Sequence, residues 1–410
     1  MNERPVRLVL RDDLRRSRLT VFFRLFLAIP HLFWFWIWAS AVSATVFVQW
    51  LVTVVRARPI TALNTFHVHF VRYGAQLTAY VALAANPFPG FLGEPGYPVE
   101  VEIDPAERQS RLSAGFRLLL AIPALWMLAL VNSVAIGGAF AVFLVGAGVV
   151  FTAAFLGWFA ALVRGTMPRG LRNIAAYGIR YTAEVWAYLL LVVERYPSSD
   201  PTLPGEAGAL PFRPIRLVVT DDRRRSRLTT FFRGFLVVPH IVWLVLWGVV
   251  VVLAVLVNWF VLLARGRGVS ALDRFVAAYL RYQLHVAAFL WLIANPFPGF
   301  AGRQGYPVDL EIDRPDRQAR LVTAFRLFLA IPSWIISGAL QWLVLAAGIG
   351  GWFAALVTGR MPEGLRNAGA HGLRYVAQAN GYAYLLTDRY PFAGPPTEAQ
   401  PPQLLLDEAP

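Results

Sequence analysis

The sequence predicts a mainly α-helical, polytopic membrane protein of about eight spans. It also predicts four short β-strands in one small cytoplasmic sheet, and four quarter-repeats arranged in two tandem halves. Three observations lead to this fold class. They are an apolar composition, a sequence pattern that occurs four times, and four short runs in which apolar and charged residues alternate.

The composition is that of a membrane protein. Hydrophobic residues make up 57% of the 410 residues and charged residues 15%, whereas a soluble domain averages about 45–50% and about 25%. The net charge is +14, and every basic residue other than histidine is arginine. Because these arginines flank long apolar runs, they indicate contact with an anionic membrane surface and not with nucleic acid. The chain has no cysteine, which excludes disulfides, thiol catalysis and thiolate metal sites.

The chain contains repeats at two levels. The run that begins at Asp12 recurs from Asp221, and the run Asn-Pro-Phe-Pro-Gly-Phe from Asn86 recurs from Asn295, so the halves are a tandem duplication. A Phe-Arg…Pro motif divides each half again and occupies residues 23–30, 116–123, 232–239 and 325–332. We place the halves at 1–197 and 215–392, their quarters at about 1–97, 98–197, 215–306 and 307–392, an exposed linker at 198–214 and a disordered tail at 393–410.

A short alternating run opens each quarter. Its period of two and its β-branched residues predict a half-buried strand. The runs cover residues 6–10, 99–103, 215–219 and 308–312. The polar positions are basic in the first and third runs and acidic in the second and fourth, so cross-strand attraction favours pairing the first with the second and the third with the fourth. The alternative is four unpaired extended linkers.

A long apolar run follows in each quarter, after an amphipathic lead-in that ends at proline. Each run exceeds the roughly 20 residues that a bilayer core requires. The runs cover residues 31–55, 124–163, 240–264 and 333–357. The second is longer than its counterpart in the fourth quarter, and it is either one tilted helix or contains a re-entrant break. No small-residue cleavage site follows the first run, so we expect that span to be retained.

A further helix with an Arg-Tyr pair ends each quarter. The pairs are Arg72-Tyr73, Arg180-Tyr181, Arg281-Tyr282 and Arg374-Tyr375. If these Arg-Tyr helices cross the membrane, the chain has eight spans, and the strands, the linker and both termini share one side. Arginines are more than twice as frequent on that side, which makes it the cytoplasmic side. If the helices only lie on the surface, four spans alternate and the strands cannot pair.

The arginine near the middle of each Arg-Tyr helix is the sharpest chemical signal. Its cost at a bilayer centre is about 2.5–3.5 kcal/mol on insertion scales, so it should face a partner or water. Residues three or four apart share a helix face, and each arginine therefore lies in a polar stripe. The candidate anion- or lipid-binding residues are Arg72, Arg180, Glu184, Arg281, His285, His371, Arg374 and Gln378.

Two interpretations of these stripes remain open. Four stripes that converge on one axis would make a positively charged pocket for an anionic headgroup or a small anion, because guanidinium groups match phosphate and carboxylate. Alternatively, the arginines reach the headgroups or pair with Glu184 and main-chain carbonyls, and only hold helices together. No other pattern indicates a metal, a cofactor or catalysis. His67 and His69 lie on different helix faces, and Glu184 has no second acid beside it.

The fourth quarter resembles a known family through three segments. They are residues 325–332, residues 358–365 (Thr-Gly-Arg-Met-Pro-Glu-Gly-Leu) and residues 382–392, which contain Asp-Arg-Tyr-Pro. These segments resemble the bacterial membrane-protein family of domain-of-unknown-function 4389. The second quarter resembles it through 164–171 and 188–197, whereas the first and third quarters end in Asn-Pro-Phe-Pro-Gly-Phe instead. The resemblance implies a bacterial inner-membrane protein and carries no particular activity.

Two function classes follow. The first is a scaffold or lipid-interacting accessory protein, which meets anionic lipid through its arginines and leaves a cytoplasmic face for a protein partner. The alternative is a transporter or flippase-like protein that moves an anionic substrate past the arginines. Broken helices at matching positions in both halves would favour transport. The extra length of 124–163 has no counterpart in the second half, so we expect the scaffold, and we do not expect an enzyme.

Overall fold

The computed structural model describes residues 4–132, 148–203 and 214–396. The chain divides into two compact units, Met1–Glu206 and Ala207–Pro410. In the first unit the elements are β1 (Val6–Leu10), α1 (Arg18–Arg56), α2 (Thr61–Val81), β2 (Val99–Ile103), α3 (Arg111–Gly115), α4 (Arg117–Asn132), α5 (Val149–Arg164) and α6 (Arg169–Leu189). In the second they are β3 (Ile215–Val219), α7 (Arg227–Leu236), α8 (Val238–Arg265), α9 (Ser270–Leu290), β4 (Val308–Ile312), α10 (Arg320–Ala324), α11 (Arg326–Thr358) and α12 (Glu363–Ala383).

Local sequence explains where the long apolar helices end. Residues Gly165, Gly266 and Gly359 follow α5, α8 and α11 and have positive φ, near 70°. Only a residue without a Cβ adopts this left-handed conformation at no steric cost, so glycine there closes a helix. The prolines of the lead-ins lie within α1, α4 and α11 and at the first turn of α8.

The strands pair as their charges predict. β1 and β2 are antiparallel with Arg7 opposite Glu102, and β3 and β4 are antiparallel with Arg216 opposite Glu311. Both pairs form ion pairs, at 3.5 Å and 2.9 Å. The prediction of four short strands is confirmed, but that of one small sheet is wrong. The described strands form two separate two-stranded sheets, because each half of the chain pairs its own two strands.

Each unit consists of three layers. In the first unit the sheet packs on α2 and α6, and these Arg-Tyr helices pack in turn on α1, α4 and α5. The inward side chains of the strands are buried, and α6 is buried along almost its whole length because it is covered on both faces. In the second unit the sheet packs on α9 and α12, which pack on α8 and α11. The core of this unit joins Leu217 and Leu310 of the strands to Leu280 and Leu373 of the Arg-Tyr helices and to Val344 of α11.

The two quarters of each unit run in opposite directions. The N–H of Arg16, before α1, donates to Gly165 O, at the end of α5, over 2.8 Å. The N–H of Gln109, before α3, donates to Ala57 O, at the end of α1, over 2.9 Å. The second unit repeats both hydrogen bonds, from Arg225 to Gly359 and from Gln318 to Gly266, at 2.8 Å and 3.0 Å. The start of one quarter therefore lies beside the far end of its neighbour's long helix.

This arrangement contradicts the predicted topology of about eight spans. In that topology Arg16 and Gly165 lie on opposite sides of a bilayer, yet a main-chain hydrogen bond joins them. Among the described residues three helices are long and apolar enough to cross a membrane. They are Arg18–Arg56, Arg326–Thr358 and Arg227–Arg265, which is α7 and α8 taken together, and none of them is an Arg-Tyr helix. The question of a break within 124–163 lies outside the described residues, between Asn132 and Val149.

Candidate functional site

The arginines of the Arg-Tyr helices reach the sheet layer. In the first quarter Arg72 donates to Val101 O of β2 (3.4 Å) and to Gly93 O (3.5 Å). In the third quarter Arg281 donates to Leu310 O of β4 (3.3 Å) and to Gly302 O (3.5 Å). Each of these guanidinium groups therefore binds one carbonyl of a strand and one carbonyl of the loop that precedes that strand.

In the second and fourth quarters the arginine holds the segment that follows its own helix. Arg180 donates to Thr202 O over 2.6 Å and to Asp200 O, and its Nε lies 3.5 Å from Glu184 Oε1. Glu184 in turn accepts the N–H of Ser198 over 2.6 Å. The carboxylate and the arginine thus act together on residues 198–202.

The fourth-quarter stripe has the same role. Arg374 donates to Gly394 O over 2.6 Å and contacts His371 Nδ1 at 3.1 Å. Gln378 donates to Ile215 O of β3 over 3.0 Å and accepts the N–H of Phe392 over 3.3 Å. The stripe therefore joins the helix both to the sheet and to the chain after it.

One carboxylate of the sheet layer escaped the sequence analysis, which took Asp309 only as an acidic position of the fourth strand. Its Oδ1 lies 3.1 Å from Arg281 Nε and 3.2 Å from His285 Nε2. The ring of Tyr306 stacks on His285 at 4.5 Å. Burial raises the pKa of Asp309, but the hydrogen bonds from His285 and from the N–H groups of Gly305 and Leu310 outweigh it, so the pKa lies below its ordinary value.

In three quarters the tyrosine of the pair reaches in the other direction, into the apolar layer. Tyr73 Oη lies 2.8 Å from Nδ1 of His31, and Tyr282 Oη lies 2.6 Å from Nδ1 of His240. Each of these histidines directly follows the lead-in proline. In the second quarter Tyr181 Oη donates to Ala124 O, at the equivalent position, over 3.2 Å. In the first and third quarters the Arg-Tyr pair therefore ties all three layers together within two residues.

All eight candidate residues thus lie in the layer between the sheets and the apolar helices. The contacts agree with the structural interpretation, in which the arginines bind main-chain carbonyls and Glu184. Binding of an anion or a lipid by these residues stays a prediction. Across residues 4–132, 148–203 and 214–396, no group of three His, Asp or Glu side chains could hold a metal ion.

The sequence analysis also missed a second set of arginines, which are buried in the apolar layer. They belong to the Phe-Arg…Pro motif and are only 1–2% exposed: Arg24, Arg117, Arg233 and Arg326. Arg24 Nη1 donates to Tyr80 O (2.7 Å) and Ala85 O (3.0 Å), at the end of α2. Each of the other three arginines donates to the two equivalent carbonyls of its own quarter. The contacts are Arg117 to Tyr188 and Val193, Arg233 to Phe289 and Ala294, and Arg326 to Tyr382 and Thr387.

These arginines cap a helix end that turns through a strained residue. A leucine with φ near 60° follows each Arg-Tyr helix, at positions 83, 191, 292 and 385. Side chains from the lead-in hold its carbonyl. Arg16 Nη2 donates to Leu83 O over 2.8 Å, and Gln109 donates to Leu191 O over 2.5 Å. Positive charge at a helix C-terminus is also favourable, because it is attracted to the negative end of the helix dipole. The motif arginine was visible in the sequence as the one charge in each apolar lead-in.

Comparison with protein families gives one match. A family model described as "Domain of unknown function (DUF4389)" matches residues 18–92, 138–199, 227–301 and 320–394, which together make up well over half of the chain. Each matched segment contains one of the four Arg-Tyr helices, and three of the segments contain a buried motif arginine. The comparisons with curated proteins and with solved structures found no match.

Proposed function

The chain belongs to the family of domain-of-unknown-function 4389, and from that membership and the layered fold we propose that it is a lipid-interacting scaffold of the bacterial inner membrane. In this proposal the apolar helices of each unit lie in lipid, and the two charged sheets face water. Anionic phospholipids are its first partners, and the sheets offer a water-facing surface to a protein partner. The arginine-rich loops before and after the apolar helices contact lipid headgroups.

The amphipathic character of each unit carries the proposal. On the apolar layer, Phe33, Trp36, Phe235 and Phe328 are 70–75% exposed, and many other large apolar side chains lie bare around them. The opposite layer shows the ion pairs of Arg7 with Glu102 and of Arg216 with Glu311. A body with one apolar and one charged face is most stable at the boundary between hydrocarbon and water.

The sheets explain why the Arg-Tyr helices do not cross the bilayer in this proposal. A two-stranded sheet leaves main-chain N–H and C=O groups unpaired along its outer edges, and hydrocarbon cannot satisfy them. Arg72 and Arg281 lie near the midpoints of their helices and bind these sheets. A helix whose middle is covered by such a sheet belongs to the water side of the unit.

The arginine contacts favour a scaffold over a transporter. The stripe arginines donate to main-chain carbonyls of their own unit, as Arg180 does to Thr202 and Arg374 to Gly394. A carrier for anions needs guanidinium groups that exchange partners with its substrate. Reconstituted protein should therefore not speed the movement of a fluorescent anionic phospholipid between leaflets. Accelerated movement would support the flippase-like alternative.

Paired cysteines test the topology directly, because the native chain has none. Arg15 and Thr166 form a β-bridge, as do Arg224 and Arg360. Bridge partners lie within reach of a disulfide. In membranes of cells that produce the full chain, Arg15→Cys with Thr166→Cys should crosslink under oxidation, and both positions should react with an impermeant maleimide from one side.

The second-unit pair, Arg224→Cys with Arg360→Cys, is the matched test. Labelling of Arg15→Cys and Thr166→Cys from opposite sides would restore the eight-span topology. Release of the protein from membranes by alkaline carbonate would remove the proposed lipid contact altogether.

A further inference from the structure

A polar groove opens in the second unit beside the end of α12 and the start of α10. Its volume is about 540 Å³, and its walls include Asp313, Arg314, Arg317, Thr387, Asp388 and Arg389. None of its charged residues belongs to the arginine stripes or to the buried caps, although Thr387 O is one of the carbonyls that the cap arginine Arg326 binds. The charged lining of the groove is therefore separate from the candidate site described above.

The charge in the groove is positive. Arg314, Arg317 and Arg389 are exposed, and none of the three forms an ion pair or a side-chain hydrogen bond with the residues that the structure describes. Asp313 is paired with Arg216 at 3.1 Å. Within the lining, Asp388 is the carboxylate left to oppose three guanidinium groups, and Asp273 of α9, outside the lining, also attracts Arg314.

The walls of the groove are held in place. Thr387 Oγ1 accepts the N–H of Arg389 over 3.1 Å, and Thr387 O accepts a hydrogen bond from the buried Arg326. On the facing wall, Gln318 directly follows Arg317 and donates to Leu385 O over 2.6 Å. The two segments that carry the arginines are therefore tied to each other and to the helix end. A fixed backbone lowers the ordering cost of binding.

The first unit differs at this corner. Pro105 stands at the position of Arg314, and Glu194 at that of Asp388. Glu194 accepts the N–H of Ser110 over 2.8 Å. Duplication thus produced two copies of this corner, and the second carries an arginine, Arg314, that the first lacks.

We propose that this groove binds a phosphate group, as a phosphate monoester or diester anion. Guanidinium forks donate paired hydrogen bonds to phosphate oxygens, and three of them suit a tetrahedral anion. The anion has two possible sources, an acidic phospholipid headgroup or a soluble organophosphate. The lead-in after Arg317 exposes Leu321, Phe325 and Phe328, which would lie along the acyl chains of a lipid.

Titration calorimetry of the detergent-purified full chain tests the proposal. The probes are glycerol 3-phosphate and short-chain phosphatidylglycerol, and short-chain phosphatidylcholine is the zwitterionic control. Arg314→Ala and Arg389→Ala should each weaken binding about tenfold or more, since each removes charge-assisted hydrogen bonds. Arg303→Ala, which removes an exposed arginine of the same unit outside the groove, should leave affinity unchanged.

The source of the anion follows from the probe that binds more tightly. Either result supports the groove, provided that the loss is confined to the groove variants and their melting temperatures match that of Arg303→Ala. No binding of either anionic probe, or an equal loss in Arg303→Ala, overturns the proposal. The assay is carried out in detergent, so it tests phosphate binding by the groove independently of the proposed association of the protein with membranes.

Discussion

At the scale of the residue, the buried arginine caps carry the largest cost of burying charge. Arg233 is 2% exposed, donates to Phe289 O and Ala294 O, and lies 4.3 Å over the Phe289 ring. Its partners are neutral oxygens at a helix end, so the dipole of the helix and the aromatic ring offset the cost of burial. The same combination occurs in all four quarters.

Removal of one cap should be severe. Arg233→Met keeps most of the volume but removes the side-chain donor to Ala294 O and one of the donors to Phe289 O, which also accepts the N–H of Leu292. We expect a loss of about 3 kcal/mol in the free energy of unfolding. Arg274→Met replaces an exposed arginine on α9 and should change stability little. Chemical unfolding in detergent, followed by tryptophan fluorescence, measures both. Equal stability of the two variants would show that the cap is dispensable.

The carboxylate of Asp309 should give the second unit a defined acid sensitivity. Its pKa in the folded protein lies below the ordinary value, which is about 3.9 in unfolded chains. The stabilisation is therefore complete above about pH 4 and is lost as the pH falls through the lowered pKa. Asp309→Asn should weaken the dependence of the melting temperature on pH below pH 5. Asp316→Asn, at an exposed position, should leave that dependence unchanged.

At the scale of the element, small residues set how closely the Arg-Tyr helices approach the apolar layer. A Cβ at Gly372 of α12 would lie 2.4 Å from Val344 Cγ2 and 3.0 Å from Leu340 O of α11. A Cβ at Gly338, also in a helix, would meet nothing within 4 Å. The glycines therefore differ in packing and not in backbone conformation.

That difference can be measured with one substitution at each site. Gly372→Ala should destabilise the protein by about 1–3 kcal/mol through overpacking. Gly338→Ala should be neutral or stabilise it by up to about 1 kcal/mol, because alanine favours helix. Thermal unfolding of the two variants beside the wild type checks the sign of each effect, and a stabilising Gly372→Ala would contradict the packing.

The sequence was sufficient for the elements and insufficient for their layers. The alternating charges of Arg7 and Glu102 specify a cross-strand pair, because the period of a strand fixes which side chains face outward. The contacts of Arg24 with Tyr80 O and Ala85 O have no such signature. Every residue has a main-chain carbonyl, so the sequence does not show which distant carbonyl an arginine binds. The distribution of arginines and the pairing of the strands favoured Arg-Tyr helices that cross the membrane, whereas the sheet that covers these helices could be seen only in three dimensions.

At the scale of the whole molecule, each half supplies its own sheet, its own helix layers and its own caps. The hydrogen bonds that close a unit, such as Arg16 to Gly165 and Arg225 to Gly359, stay within that unit. We therefore expect residues 1–206 and 207–410 to fold when they are produced as separate chains. Limited proteolysis in detergent should leave each half as a stable fragment, and rapid degradation of both would contradict this expectation.

The reciprocal contacts between quarters also bear on the symmetry of each half. The start of quarter one is hydrogen-bonded to the end of the long helix of quarter two, and the start of quarter two is hydrogen-bonded to the end of the long helix of quarter one. A polypeptide of a single quarter would leave both ends open. Two identical copies related by a twofold axis would close them, since a self-complementary interface makes each contact twice. Each half therefore has the contacts of a self-complementary dimer whose two copies are joined in one chain and differ in sequence.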